Sequence, residues 1–255
     1  MSPDPNHADK PLTGVRGMIF AAGLGTRLKP FTDRHPKALA PVNGKPLLQR
    51  NIEYFKSYGI REIVVNTHHF ADQIEDFLNL NGNFDCRITL SHERGEPLET
   101  GGGLLHAAPH LSDSELPFLV MNADILTDLD LAAIYSHHRE RKPLVTLAVT
   151  RRKSSRNLLF DKRMVLSGWA NDSTGEKRIV RDPGDKPLEP FAFTCVHVVE
   201  PAIFPLIRQT GKFSIIDTYL DLAAEHRIEG YLHEHDCVVD VGRPESILEA
   251  ERFFH

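Results

Sequence analysis

Residues 21–37 read AAGLGTRLKPFTDRHPK, which sets two glycines, an arginine and a lysine just past an apolar run. Gly23 and Gly25 let backbone N–H groups approach an anion without interference from a Cβ, as a nest for phosphate oxygens requires. Arg27 adds a planar fork that matches phosphate geometry, and Lys37 adds a mobile point charge. Together they are the parts of a polyphosphate clamp, suited to the β and γ phosphates of a nucleoside triphosphate and to departing pyrophosphate. Other glycine-loop chemistries fit less well. A dinucleotide fingerprint needs a third glycine where Leu28 stands, and the phosphate loop GxxxxGK[ST] is absent. A plain glycine-rich turn with solvated Arg and Lys leaves the coincidence of four features at one strand end without a reason.

Two further sets of acids have the right types. Glu93, Glu96 and Glu99 lead into Thr100-Gly101-Gly102-Gly103. Glycines opening a helix would let a flat base lie on the backbone, with N–H groups near the ribose or α-phosphate. An ionised Glu only accepts hydrogen bonds. Glu93 or Glu96 would therefore take the N3–H of uracil or the N1–H and N2–H of guanine, but would face the lone pair of cytosine N3. The pattern leans to UTP or GTP over CTP, although each acid alone reads equally well as a solvated loop residue. Asp124 closes PFLVMNAD, and Asp240 closes VVD ahead of Val241-Gly242. An acid at the end of a buried strand has to be paired, hydrogen-bonded or metal-bound; a helix cap is the rival role. Brought together, the two would repel. An Asp→Asn change at either is therefore expected to leave the fold no less stable.

These residues need a scaffold of alternating strands and helices. Strands are predicted at 16–22, 61–66, 87–92, 117–121 and 144–150, and helices at 46–58, 71–80, 103–110 and 129–141. The first helix opens on Pro46 and stops before Gly59. Such alternation predicts an α/β fold: a Rossmann-like, mainly parallel twisted sheet with helices on both faces. Ligands of these sheets bind at the carboxyl ends of the strands, where Ala22-Gly23, Asn66-Thr67, Glu93 and Asp124 all fall. Residues 151–190 are rich in charge, Gly and Pro and read as an excursion over the sheet that covers a second substrate. A strand at 191–199, a helix at 214–226, an alternating segment at 231–241 and a helix at 244–254 complete the chain. With no repeat and no linker, 15–255 reads as one domain behind a disordered, Pro-rich tail over 1–14.

A net charge of -5 gives no support for a nucleic-acid or membrane-surface partner. Cys86, Cys195 and Cys237 are scattered, so neither a disulfide framework nor a CxxC metal site is expected. The 14 histidines include His68-His69 and His137-His138 but lack zinc-site spacing. There is no apolar run long enough for a membrane helix and no signal peptide. A cytoplasmic monomer or small homo-oligomer is the expectation.

The run AAGLGTRLKPFTDRHPKALAPVNGKPLL (21–48) resembles the opening signature of the sugar-1-phosphate nucleotidyltransferases, and the likeness continues through most of 15–255. GEPLETGGG (95–103) is similar to the small single-domain branch that includes N-acetylmuramic acid 1-phosphate uridylyltransferases and sugar-phosphate guanylyltransferases. The resemblance implies a nucleotidyltransferase (GT-A-like) fold and transfer of a nucleotidyl group from an NTP, UTP favoured, to a sugar 1-phosphate. It implies a nucleotide site over Ala21, Ala22, Gly23, Gly25, Thr26, Glu93, Glu96, Gly101 and Gly102, with Arg27, Lys37 and Asp124 catalytic. Asp124 and Asp240 would hold Mg²⁺, with Mn²⁺ as a substitute. The sugar phosphate would meet Thr194, Lys186 and Asn171. Two departures stand out: Ala123 replaces a glycine before the first aspartate, and Cys195 replaces a glycine on the sugar strand. A guanylyltransferase for mannose- or heptose-type 1-phosphates and a non-catalytic nucleotide or NDP-sugar sensor are the alternatives. The sensor fits less well, because Arg27, Lys37 and both aspartates are present.

Overall fold

A computed structural model describes residues 10–182, 184 and 186–255. The chain runs β1 (Arg16–Phe20), a small hairpin β2 (Pro41–Val42) and β3 (Lys45–Pro46), α1 (Leu47–Ser57), β4 (Glu62–Thr67), α2 (Ala71–Leu80) and β5 (Arg87–His92). Then come α3 (Glu99–His106), β6 (Phe118–Asn122), β7 (Ile125–Thr127), α4 (Leu131–Arg141) and β8 (Val145–Thr150). A meander of β9 (Arg156–Phe160), β10 (Leu166–Asn171) and β11 (Glu176–Ile179) follows. The chain closes with β12 (Glu189–Val199), α5 (Ile215–Ala223), β13 (Ile228–Leu232), β14 (Val238–Asp240) and α6 (Pro244–Phe253).

The centre is parallel, with β6, β1, β4 and β5 side by side. β12 joins β6 and β8 antiparallel, and β13 lies parallel to β8. Period-2 burial decides which helices pack where. Met18 and Phe20 face the cluster of Leu104, Ile215 and Tyr219 from α3 and α5. Ile19 faces Ile52, Phe55, Ile74 and Ile134 from α1, α2 and α4. Helices therefore cover both faces of an α/β sheet, as the alternation predicts.

Four expectations need correction. Residues 151–190 do not lie over the sheet: β9, β10 and β11 extend it as an antiparallel meander joined to the first half of β12. The alternating segment at 231–241 is two strands, because β13 joins the large sheet while β14 pairs with β7 in a separate ribbon. The helix expected at 103–110 begins at Glu99, so its three glycines lie inside it. Of the expected tail, residues 1–9 fall outside the described residues, whereas 10–14 are packed: Leu12 is buried and its N–H donates to Tyr58 O at 2.9 Å. Among the described residues no helix is long and apolar enough to cross a membrane.

Candidate active site

A cleft of about 430 Å³ opens at the carboxyl ends of β1, β4 and β6. Its floor is the loop after β1, which is held at both ends. Asn66, at the end of β4, accepts the N–H of Ala21 at 2.7 Å. Leu28 is buried in a third cluster with Leu126, Val239 and Val241. Between these anchors, the backbone N–H groups of 22–27 have no acceptor among the described residues. Ala21, Ala22, Gly23, Gly25, Thr26 and Arg27 all line the cleft. A loop of unpaired amides beside an arginine has the form of an anion nest. Gly25 is required by the fold as well: its φ is +62°, and a Cβ there would stand 2.7 Å from Thr32 Cγ2 and 2.9 Å from Lys37 Cβ.

The metal-type acids come together as expected. Asp240 ends β14, whose register sets it against Ile125 of β7, and the N–H of Val241 donates to Asp124 O at 2.8 Å. Crowding by the protein, and then the charge of Asp124, push the Asp240 pKa above the usual carboxylate range although the residue keeps solvent access. A Cβ on Gly242 would lie 2.8 Å from Asp240 Oδ1 and 3.0 Å from Arg27 Nη2, so Asp240 and the arginine of the loop after β1 converge at this glycine. Ala123, the departure before Asp124, is buried in the second cluster, so its methyl has room. Nearby Asp128 is already committed, since it accepts the N–H of Cys237 at 2.6 Å.

Lys37 departs from its expected freedom. It is buried, and its ammonium donates to Asp124 Oδ2 as an ion pair. The lysine thus lines the cleft with its charge committed to Asp124.

The base side needs several corrections. Glu93 is buried and both its oxygens are engaged: Oε1 accepts from Asn66 Nδ2 at 2.6 Å and Oε2 from Leu98 N at 2.8 Å. It pins Asn66, and through it Ala21, rather than waiting for a base edge. Glu96 is exposed and does not line the cleft; Pro97, Glu99 and Thr100 do. Gly101 and Gly102 are packing residues whose N–H groups both donate to Phe213 O, at 2.9 and 3.3 Å. A Cβ on Gly102 would run into Gly211 O and come within 2.9 Å of Leu98 Cβ. Gly102→Ala therefore sets a gain in helix propensity of about 1 kcal/mol against overpacking of about 1–3 kcal/mol. Because the obstacle is backbone, a lower Tm is expected in a thermal melt; a Tm equal to or above that of the native chain would show that the 211–213 loop yields freely.

The expected sugar-phosphate residues are not brought together. Thr194 is buried and donates to Ala148 O at 2.9 Å, with His233 Nε2 3.2 Å from its oxygen. Asn171 caps the β10–β11 turn, accepting from Ser173 N at 3.0 Å. Lys186 is exposed and does not line the cleft. Cys195, beside Thr194, takes a φ of +58° at the bulge of β12. Its thiol pKa is pushed up to about 12, first by burial and then by Asp124 and Asp240, which keeps it protonated.

Two cleft residues escaped the sequence reading, Asn66 as a bridge and Lys212 at the rim 4.0 Å from Glu99; Arg152 acts on Asp240 by its charge from outside the cleft lining. Asn66 was legible as a polar residue at the buried end of β4, and Arg152 as a cation just past the carboxyl end of β8. Nothing local marks Lys212, which reaches the cleft because the Phe213 carbonyl caps α3.

Comparison with known proteins decides the family. The model of the family described as nucleotidyl transferase matches residues 16–160. The chain belongs to that family. It is 31% identical over 242 residues to the N-acetylmuramate alpha-1-phosphate uridylyltransferase of Caulobacter vibrioides, covering 92% of this chain and 94% of that protein. It is 42% identical over 121 residues to the enzyme of the same name from Neisseria meningitidis serogroup B, where the match spans 48% of this chain and 52% of the relative. The fold matches HddC from Yersinia pseudotuberculosis complexed with GMP-PN at a TM-score of 0.73 and 22% identity, covering 94% of this chain and all of that one. As a family member the protein is a nucleotidyltransferase, and sugar 1-phosphates are the acceptors named for its relatives.

Proposed function

We propose that the protein transfers UMP from UTP to a sugar 1-phosphate, releasing pyrophosphate, with N-acetylmuramate α-1-phosphate the first acceptor to test. The observation that carries this reading is the gathering of the amides of 22–27, Arg27 and Asp124 in one cleft, with Asp240 beside Arg27 at Gly242 on its edge. The preference for UTP is supported by the names of the Caulobacter and Neisseria relatives. The attacking phosphate oxygen is already an anion, so the chain has to orient it and neutralise charge rather than remove a proton. Loop amides and Arg27 hold the β and γ phosphates and the departing pyrophosphate. Glu93, by fixing Asn66, holds that loop in shape.

Asp124 and Asp240 fit a divalent cation such as Mg²⁺, because two crowded, mutually repelling carboxylates gain from one and Mg²⁺ commonly takes one or two. When bound there it supplies charge neutralisation at the phosphates. Release of pyrophosphate, measured for four NTPs against several sugar 1-phosphates with Mg²⁺ and with EDTA, tests the reading. The highest kcat/KM is expected with UTP, and no turnover with EDTA. Best use of GTP would move the assignment to the guanylyltransferases. No release from any pair would leave a nucleotide-binding protein without this activity.

A further inference from the structure

Glu93 is 4% exposed, and among the described residues it makes no ion pair. A buried carboxylate held by neutral donors alone is a costly strut, since a neutral side chain would avoid the desolvation. What distinguishes it is the set of segments its two oxygens join. Oε1 accepts from Asn66 Nδ2, and Asn66 Oδ1 in turn accepts the N–H of Ala21 at the root of the loop after β1. Oε2 accepts the N–H of Leu98, which lies between Pro97 and Glu99, two residues that line the same cleft. The path runs on from Leu98: its carbonyl accepts from Phe213 N at 3.1 Å, and Phe213 O accepts from Gly101 N at 2.9 Å. One side chain thus ties the phosphate loop to the segment that opens α3.

Only a carboxylate meets the geometry of this join. Both partners are N–H donors, so both side-chain oxygens have to accept. Glutamine offers one oxygen and one NH₂, and either way round an N–H would face an N–H. Room for the contact is built in: a Cβ on Gly103 would stand 2.7 Å from Asn66 Nδ2 and 2.7 Å from Glu93 Oε1. A shift of 97–100 therefore acts through Leu98 N on Glu93, then on Asn66 and the first amide of the loop. We propose that Glu93 is a positioning residue that couples the two halves of the cleft, so that a base seated against Pro97, Glu99 and Thr100 sets the loop that grips the phosphates. This inference rests on the nucleotidyl-transfer reading above and deepens it: a wrong base is rejected through the loop as well as by lost contacts. A strut that serves stability alone is the plain alternative, and a hydrogen-bonded path by itself does not show coupling.

Discrimination between bases separates the two. Pyrophosphate release is followed with each of four NTPs for the native enzyme, Glu93→Gln, Asn66→Ala and the double variant, and Tm, which either view lowers, shows that each variant folds. Coupling predicts that the ratio of kcat/KM between the best- and worst-used NTP falls about fivefold or more in Glu93→Gln. The same fall is expected in Asn66→Ala, which cuts the path one link further on. The double variant should lose no more of the ratio than either single one, because one path is cut twice. Should Glu93→Gln fail to fold, the ratio in Asn66→Ala carries the test. A native enzyme that releases no pyrophosphate from any pair overturns the parent reading and the coupling with it. An active native enzyme overturns the coupling alone if it uses all four NTPs alike, if the variants slow every NTP by the same factor, or if the two single losses add in the double variant.

Discussion

Exchanging Lys37 for methionine is expected to lower kcat/KM by about 10²–10³ and to lower Tm as well. The two effects have separate causes. Activity should fall because the ammonium is, among the described residues, the one buried cation between the loop after β1 and the aspartates. Stability falls because Asp124 loses its partner. Breaking a fully buried pair by removing one member costs about 3–5 kcal/mol. Here the Asp124 side chain keeps 24% of its surface against 10% for Lys37, so solvent recovers part of that, and about 1–2 kcal/mol is the expected loss. The double variant Lys37→Met with Asp124→Asn should regain much of the Tm and none of the turnover, which a double-mutant cycle reads directly. If Lys37→Met kept native kcat while losing Tm, Lys37 would be a counter-ion for Asp124 and no part of the clamp. The same ion pair corrects the expectation that Asp124→Asn leaves the fold no less stable: that variant strands a buried ammonium and should be destabilised.

That correction shows what the sequence could reveal and what it could not. The loop of the proposed clamp was legible because its parts are contiguous: a strand, two glycines and Arg27 within a dozen residues, with φ +62° at Gly25 as such a loop demands. The aspartate pair was legible from a general rule, that strand carboxyl ends share a crevice. Pairing between distant segments was not. Lys37 with Asp124, Glu93 with Asn66 and Phe213 with Gly101 each join residues 27 or more positions apart. A free Glu and one with both oxygens occupied look identical in a sequence, and so Glu93 read as a base contact when it is a strut. The glycines of α3 were misread for a similar reason. Gly-Gly-Gly signals close approach, but whether a base or the 211–213 loop approaches is settled only by tertiary packing. Thr194 lay on the predicted strand, yet it sits beside the bulge at Cys195 with its hydroxyl on Ala148 O, and no β12 residue among those described lines the cleft.

Asp240 carries the largest consequence for pH. Its pKa lies above the usual carboxylate range because the protein crowds it and Asp124 faces it; Lys37, Arg27 and Arg152 act in the opposite sense without cancelling this. A protonated Asp240 cannot hold a cation, so proton and Mg²⁺ compete for one carboxylate. The acid limb of kcat/KM is therefore expected above about pH 3.9, the ordinary value for Asp, and to move to lower pH as Mg²⁺ is raised. Without metal the stability sign is opposite to that of a salt-bridged carboxylate. A raised folded pKa means that the native state binds the proton more tightly than the unfolded chain. The stability associated with that proton is present below the unfolded pKa and is lost as pH rises through the folded one. Asp240→Asn should abolish this decline in Tm with pH, leaving the metal-free protein no less stable at neutral pH while nearly all turnover disappears. Mg²⁺ with nucleotide should raise the native Tm at neutral pH and leave that of Asp240→Asn almost unchanged, since ligand stabilises only through the site it binds. An acid limb that stays fixed over a hundredfold change in Mg²⁺, or an Asp240→Asn enzyme that keeps its metal dependence, would place the cation on other ligands and leave Asp240 as a residue that shapes the cleft.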